Sequence, residues 1–164
     1  VETLAEERGC RVMRTRLGKT ADMLHKQGGI YATEPSKIVD PAWGYWEDGI
    51  YGAAVIVQHL SSEKMELSEF ISDIPYYFNQ QVNLTVKEVS YTALRERVLK
   101  HYREAQVKEV QEIDGVRIVF QDDAWLLFRA SGTEPKIRIY VEAKEEKQGR
   151  RLMDEAVDLA LSMS

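Results

Sequence analysis

Residues 107 to 143 read VKEVQEIDGVRIVFQDDAWLLFRASGTEPKIRIYVEA, and this stretch decides the fold. It divides into four strand-like runs, Val107–Gln111, Val116–Gln121, Ala124–Ala130 and Ile137–Ala143. Each is short, rich in β-branched and aromatic residues, and bounded by turn formers. Asp114-Gly115 separates the first two as a tight hairpin would. Just upstream, Gln81–Val89 places Val82, Leu84 and Val86 on alternate positions, the pattern of a half-buried strand. Tyr91–Ala105 follows at helical spacing, with Leu94, Val98, Leu99 and Tyr102 on one side. Glu145–Met163 closes the chain as a second amphipathic helix carrying Leu152, Ala156, Leu159 and Ala160. The order strand, helix, four strands, helix predicts an antiparallel sheet with helices on one face, an α+β domain over residues 80–164.

The first 71 residues follow a different pattern. Residues 2–9 read as the end of a helix closed by Gly9, Cys10–Thr15 as a short strand, Lys19–Gln27 as a helix stopped by Gly28-Gly29, and Ile30–Thr33 as a buried strand. Asp48 is placed to cap a helix over Gly49–Leu60 whose apolar positions Ile50, Ala53, Ala54, Val57 and Leu60 sit at helical spacing. Met65–Ile71 predicts another helix. Helices and strands alternate here as in part of an α/β domain. Ser72–Asn79, with its proline and no periodicity, is expected to be a linker.

The chain has 164 residues, 44% hydrophobic and 30% charged, which is ordinary for a globular protein and unlike a disordered one. No apolar run approaches the roughly 20 residues of a membrane helix, so no membrane partner is expected. The opening VETLAEERG lacks the basic-then-apolar layout of a signal peptide and reads as a helix interior. The net charge of -5 argues against a nucleic-acid partner, which would call for a basic face. Cys10 is the single cysteine. An intrachain disulfide and a cysteine-based zinc site are thereby excluded, and a cytoplasmic setting is expected. His25, His59 and His101 lie far apart without ligand spacing, so no metal site is expected.

Within the decisive stretch, Arg129-Ala130-Ser131-Gly132-Thr133-Glu134-Pro135-Lys136-Ile137-Arg138 joins two predicted strands. Arg129 and Arg138 offer guanidinium forks suited to a phosphate. Ser131 and Thr133 offer hydroxyls, and Gly132 can turn successive backbone N–H groups toward one anion. The same residues also suit a plain hairpin loop whose arginines pair with surface acids.

That loop, followed by Val141-Glu142, resembles the phosphate-binding loop in the fourth domain of the α-D-phosphohexomutases: phosphoglucomutases, phosphomannomutases and phosphoglucosamine mutases. The resemblance extends along the chain, with residues 1–71 similar to most of the family's third domain and 80–164 to its fourth, whose fold is related to the TATA-binding-protein class. It implies that Arg129, Ser131, Gly132, Thr133 and Arg138 bind phosphate. Family third domains carry a sugar loop similar to Gly-Glu-x-Ser-Gly-His. Thr33-Glu34-Pro35-Ser36-Lys37-Ile38 matches it at Glu34 and Ser36, which would contact sugar hydroxyls, and Lys37 could add a charge. Taken alone, Glu34-Pro35-Ser36 is also a plain solvated turn.

Arg14-Thr15-Arg16-Leu17-Gly18-Lys19 is similar to the family's Thr-x-Val-Gly-Asp segment, with Lys19 where aspartate is usual. This departure and the altered sugar loop leave the hexose open. The resemblance further implies an enzyme that interconverts hexose 1-phosphate and hexose 6-phosphate through a bisphosphate. Its catalytic phosphoserine and Asp-x-Asp-x-Asp magnesium loop belong to N-terminal domains. Neither a Thr-x-Ser-His-Asn-Pro segment nor an Asp-x-Asp-x-Asp run occurs in this sequence. This portion alone is therefore expected to bind a hexose phosphate, to contain no catalytic residue, to hold no magnesium and to be inactive. Two other readings stand beside it: a phosphoglucosamine mutase, and a free-standing sugar-phosphate-binding module.

Overall fold

The computed structural model describes residues 2–34, 37–72, 74–86, 90–131 and 134–163. The chain divides into two compact units, Val1–Ile74 and Pro75–Ser164.

The second unit is built on a five-stranded antiparallel sheet. Its strands are β3 (Phe78–Thr85), β4 (Val107–Gln111), β5 (Val116–Phe120), β6 (Trp125–Ala130) and β7 (Lys136–Ala143), in the spatial order β3-β7-β6-β5-β4. Strands β4 to β7 form a meander, and β3 adds to the far side of β7 along its whole length, from Phe78↔Ala143 to Thr85↔Lys136. Because side chains alternate across a strand, the register sets the two faces. Ile118 stands opposite Leu126, Phe128 opposite Ile139, and Leu126 opposite Val141, so the large apolar residues share one side. Helices α5 (Tyr91–His101) and α6 (Glu146–Leu161) cover that side with Leu94, Val98, Leu152, Met153, Ala156 and Leu159, in one continuous core. Ser90 caps α5 by accepting from the Ala93 N–H at 3.2 Å. The expected antiparallel α+β arrangement is thus observed. Strand β3 begins at Phe78, three residues earlier than the alternation predicts. Phe78 is drawn into the core because Gly149 of α6 leaves room for its ring; a Cβ there would lie 2.1 Å from Phe78 Cδ1.

The first unit contains α1 (Glu2–Glu6), α2 (Thr20–Gln27), a two-stranded antiparallel hairpin β1 (Ala32–Glu34) and β2 (Lys37–Val39), α3 (Gly49–Glu63) and α4 (Leu67–Ser72). Two expectations fail. Cys10–Thr15 is not a strand. The run from Ile30 is not buried: Ile30 is 80% exposed, and the strand starts only at Ala32. Asp48 does cap α3, accepting from the Tyr51 N–H at 2.9 Å. The apolar side of that helix is largely exposed, however: Ile50 is 86% and Val57 65% exposed, and Leu60 is half-buried. Among the described residues of this unit only Thr20, Leu24, Val39 and Gly52 are buried. Gly52 is buried because α3 lies close on Ile38 of β2.

Candidate functional site

Strands β6 and β7 are joined by the loop that the sequence marks out. Ser131 N–H donates to the Lys136 carbonyl at 2.9 Å and closes the hairpin; Ser131 Oγ accepts from the Glu134 N–H at 3.3 Å. The Pro135 carbonyl accepts from Val86 N–H at 3.0 Å, tying the loop's exit to the end of β3. Lys136 Nζ pairs with Glu134 at 3.0 Å. Gly132 and Thr133, two of the predicted phosphate ligands, lie outside the described residues.

Below the loop, Arg129 of β6 and Arg138 of β7 are direct cross-strand partners. They stand on the side of the sheet away from the helices, since their neighbours Phe128, Ile137 and Ile139 fill the core. Both are half-buried. Like charges facing each other across two strands destabilise a sheet, so this pair needs an anion or an acid to offset it. Arg129 Nε is 3.0 Å from Asp114 Oδ2. Among the described residues no carboxylate pairs with Arg138. Sequence reasoning took Asp114 only as a turn former; its charge beside Arg129 follows from strand pairing, which no local motif encodes.

In the first unit Glu34 sits at the end of β1 opposite Lys37. Its Oε1 accepts from the Thr20 hydroxyl at 2.7 Å and the Gly18 N–H at 2.9 Å. Burial pushes the Glu34 carboxyl up, but the Thr20 and Gly18 donors, together with Glu47 and the charge of Lys37, bring the net direction down. Lys37 pairs with Glu47, whose carboxylate raises the lysine. Ser36 lies outside the described residues. Glu34 and Lys37 are therefore brought together, and the Gly18 segment does reach the same point. Lys19 turns to Asp22 at 3.5 Å and Arg14 to Glu2 at 2.7 Å. The segment between β2 and α3 is anchored to itself and to α3: Trp43 stacks on Tyr51 at 5.0 Å and donates to Asp48 at 3.1 Å, and Tyr51 donates to Asp40 at 2.7 Å.

Among the described residues no three His, Cys, Asp or Glu side chains gather as a cation site.

The hairpin of β6 and β7 thus carries two directly opposed arginines on an antiparallel α+β sheet. Residues 82–159 match the family model described as "Phosphoglucomutase/phosphomannomutase, C-terminal domain". A phosphopentomutase of Thermococcus kodakarensis is 33% identical over 159 residues, which are 95% of this chain and 35% of that protein. A probable phosphoglucosamine mutase of Pyrococcus horikoshii is 36% identical over 165 residues, covering 96% and 35%. Among solved structures, a Paramecium phosphoglucomutase (parafusin) in its open form superposes with a TM-score of 0.70 at 17% identity, over 97% of this chain and 35% of that one. This last likeness is one of fold. Residues 82–159 are a C-terminal domain of the phosphoglucomutase/phosphomannomutase family, and the chain spans about a third of the length of the curated relatives it matches.

Proposed function

We propose that this chain is the substrate-gripping C-terminal portion of a phosphohexomutase, and that it holds the phosphate that is not reacting. Residues 1–71 would supply the sugar loop of a third domain and 80–164 the phosphate loop of a fourth. The observation that carries the reading is the opposition of Arg129 and Arg138 at the mouth of the hairpin. Two half-buried guanidiniums on one patch of sheet concentrate positive charge in a chain whose net charge is -5. A phosphate dianion between them would offset the repulsion with charge-assisted hydrogen bonds, each contributing about 1.5–3 kcal/mol. Ser131, Gly132 and Thr133 would complete the grip from above.

Phosphoryl transfer depends on positioning and charge stabilisation, and this portion supplies positioning. The substrate must bind in two orientations to exchange a 1-phosphate for a 6-phosphate. The grip must therefore accept either phosphate while Glu34, Ser36 and Lys37 hold sugar hydroxyls. The chemistry, with its magnesium, would lie in the rest of a cytoplasmic enzyme, so the isolated chain should be inactive.

Titration of the chain with glucose 1-phosphate, followed by amide NMR, tests this. A single exposed phosphate grip should give about millimolar affinity, roughly 4 kcal/mol. Shifts are expected at Gly132 and Thr133, and Arg129→Ala should abolish them. Equal response of the variant would refute the phosphate site. Measurable mutase turnover by the chain alone would refute the division of labour. Glucosamine 1-phosphate and ribose 1-phosphate in the same titration address the sugar, because the relatives' names include a phosphoglucosamine mutase and a phosphopentomutase.

A further inference from the structure

The loop between β4 and β5 is four residues long, Glu112 to Gly115, and it is held at three points. Glu112 receives two hydrogen bonds from Arg95 of α5, Nε at 2.6 Å and Nη2 at 2.9 Å, and a third from the Tyr91 hydroxyl at 3.2 Å. Gly115 has φ +114° and presses on β6: a Cβ there would lie 2.4 Å from the Phe128 carbonyl oxygen and 3.2 Å from Arg129 Cα. Only glycine fits so close a backbone approach at that φ. Between these two anchors stands Asp114, its Oδ2 3.0 Å from Arg129 Nε.

This placement has a consequence for the arginine. A guanidinium offers two bidentate edges, Nε with one Nη, or the two Nη together. The Asp114 carboxylate oxygen stands at Nε, on the first of these edges. It also opposes the push of Arg138, which faces Arg129 across the strands. We propose that Asp114 is a positioning residue for the phosphate grip: it holds Arg129 by the Nε edge, so that the Nη1–Nη2 fork presents end-on to the bound phosphate. The proposal rests on the phosphate reading of this loop.

Asp114 is itself an anion beside an anion site, and this makes the test decisive. If the residue acted through charge alone, removing that charge would tighten phosphate binding. If it positions Arg129, removing it loosens binding. Asp114→Asn keeps an Asn-Gly turn, among the best hairpin formers, and should leave the unfolding midpoint unchanged. Glucose 1-phosphate is titrated at a fixed 0.5 M ionic strength, where screening is well below the roughly 10 Å of 0.1 M salt. The expected result is about threefold weaker binding for Asp114→Asn and about tenfold for Asp114→Ala. Binding as tight as wild type, or tighter, in both variants overturns the proposal while Arg129→Ala still abolishes the response. No loss with Arg129→Ala overturns the phosphate reading, and this proposal with it.

A measurement on the unmodified chain stands even if a variant fails to fold. The Nε–H of Arg129 should exchange with solvent at least several-fold more slowly than that of Arg138, and Asp114→Asn should narrow the gap. Equal exchange of the two arginines in the unmodified chain overturns the proposal.

Discussion

The two units obey the same sequence rules and end in opposite states. In the second, each apolar position on β5, β6 and β7 meets another: Ile118, Leu126, Phe128, Ile137 and Ile139 are fully buried. In the first, α3 carries an apolar series of the same quality, yet Ile50 and Val57 face solvent. The difference lies in what each element packs against. The sheet of the second unit receives two helices on one face from within its own 90 residues; among the described residues α3 receives β2 of a two-stranded hairpin and ring contacts from Trp43 and Phe70, and no sheet face. Periodicity reveals which side of an element is apolar. Burial also needs a partner, and the local pattern does not encode one.

The largest consequence should be in local stability. Amides in β6 and β7 should exchange only through global opening, while those of α3 open locally. Protection factors should differ by on the order of a thousandfold or more. Hydrogen exchange read residue by residue checks this. Protection of α3 equal to that of β7 would break the comparison, since it would mean that α3 is covered in solution.

Substitutions sharpen the same contrast. Phe128→Ala should cost about 3–5 kcal/mol, because it empties a fully buried site. Val57→Ala, on the exposed side of α3, should stay within about 0.5 kcal/mol. Gly149→Ala is a finer probe. Helix propensity favours alanine by about 1 kcal/mol, but the new methyl would strike the Phe78 ring at 2.1 Å. Overpacking typically costs about 1–3 kcal/mol, so net destabilisation is expected. Urea midpoints at constant slope measure all three; a stabilised Gly149→Ala would show that β3 can slide away from α6.

How much was legible follows the same line. The five strands and two helices of the second unit could be read because each carries its partner's complement nearby, and the four-stranded meander needs only short turns. The opposed pair Arg129 and Arg138 was legible as a candidate from spacing about one hairpin. Asp114 was not, since its role comes from β5 pairing with β6 and from Gly115 closing on Arg129. In the first unit Asp48 was read correctly as a cap, a local event. The misread strand at Cys10–Thr15 and the exposed Ile30 are non-local failures: both have strand-like composition, but among the described residues neither Cys10–Thr15 nor Ile30 is paired, the pairing with β2 starting only at Ala32. Glu34 was singled out by its match to the family loop and Lys37 as a departure from it, but Thr20 and Glu47 as their partners come from chain crossings that no spacing predicts.

The smallest effect separates the units by acid. Each holds a carboxyl drawn below its ordinary value by donors. Glu112 is lowered first by the Arg95 hydrogen bonds, and Asp48 first by the Tyr51 N–H it caps, then by Trp43. For a depressed carboxyl the stabilising contribution is complete above the unfolded value, 4.5 for Glu and 3.8 for Asp. It is lost as pH falls through the folded value. Lowering the pH from 6 to 3 should therefore weaken both contacts, but the readouts should differ. Loss of the Glu112 bond should appear in the global urea midpoint, as a gap between the unsubstituted chain and Arg95→Gln that narrows in acid. Loss of the Asp48 cap should appear only as faster exchange at the first turn of α3, with the global midpoint indifferent to Asp48→Ala at either pH. If Asp48→Ala shifts that midpoint as much as Arg95→Gln does, the two units unfold together and α3 belongs to the cooperative core despite its exposed side.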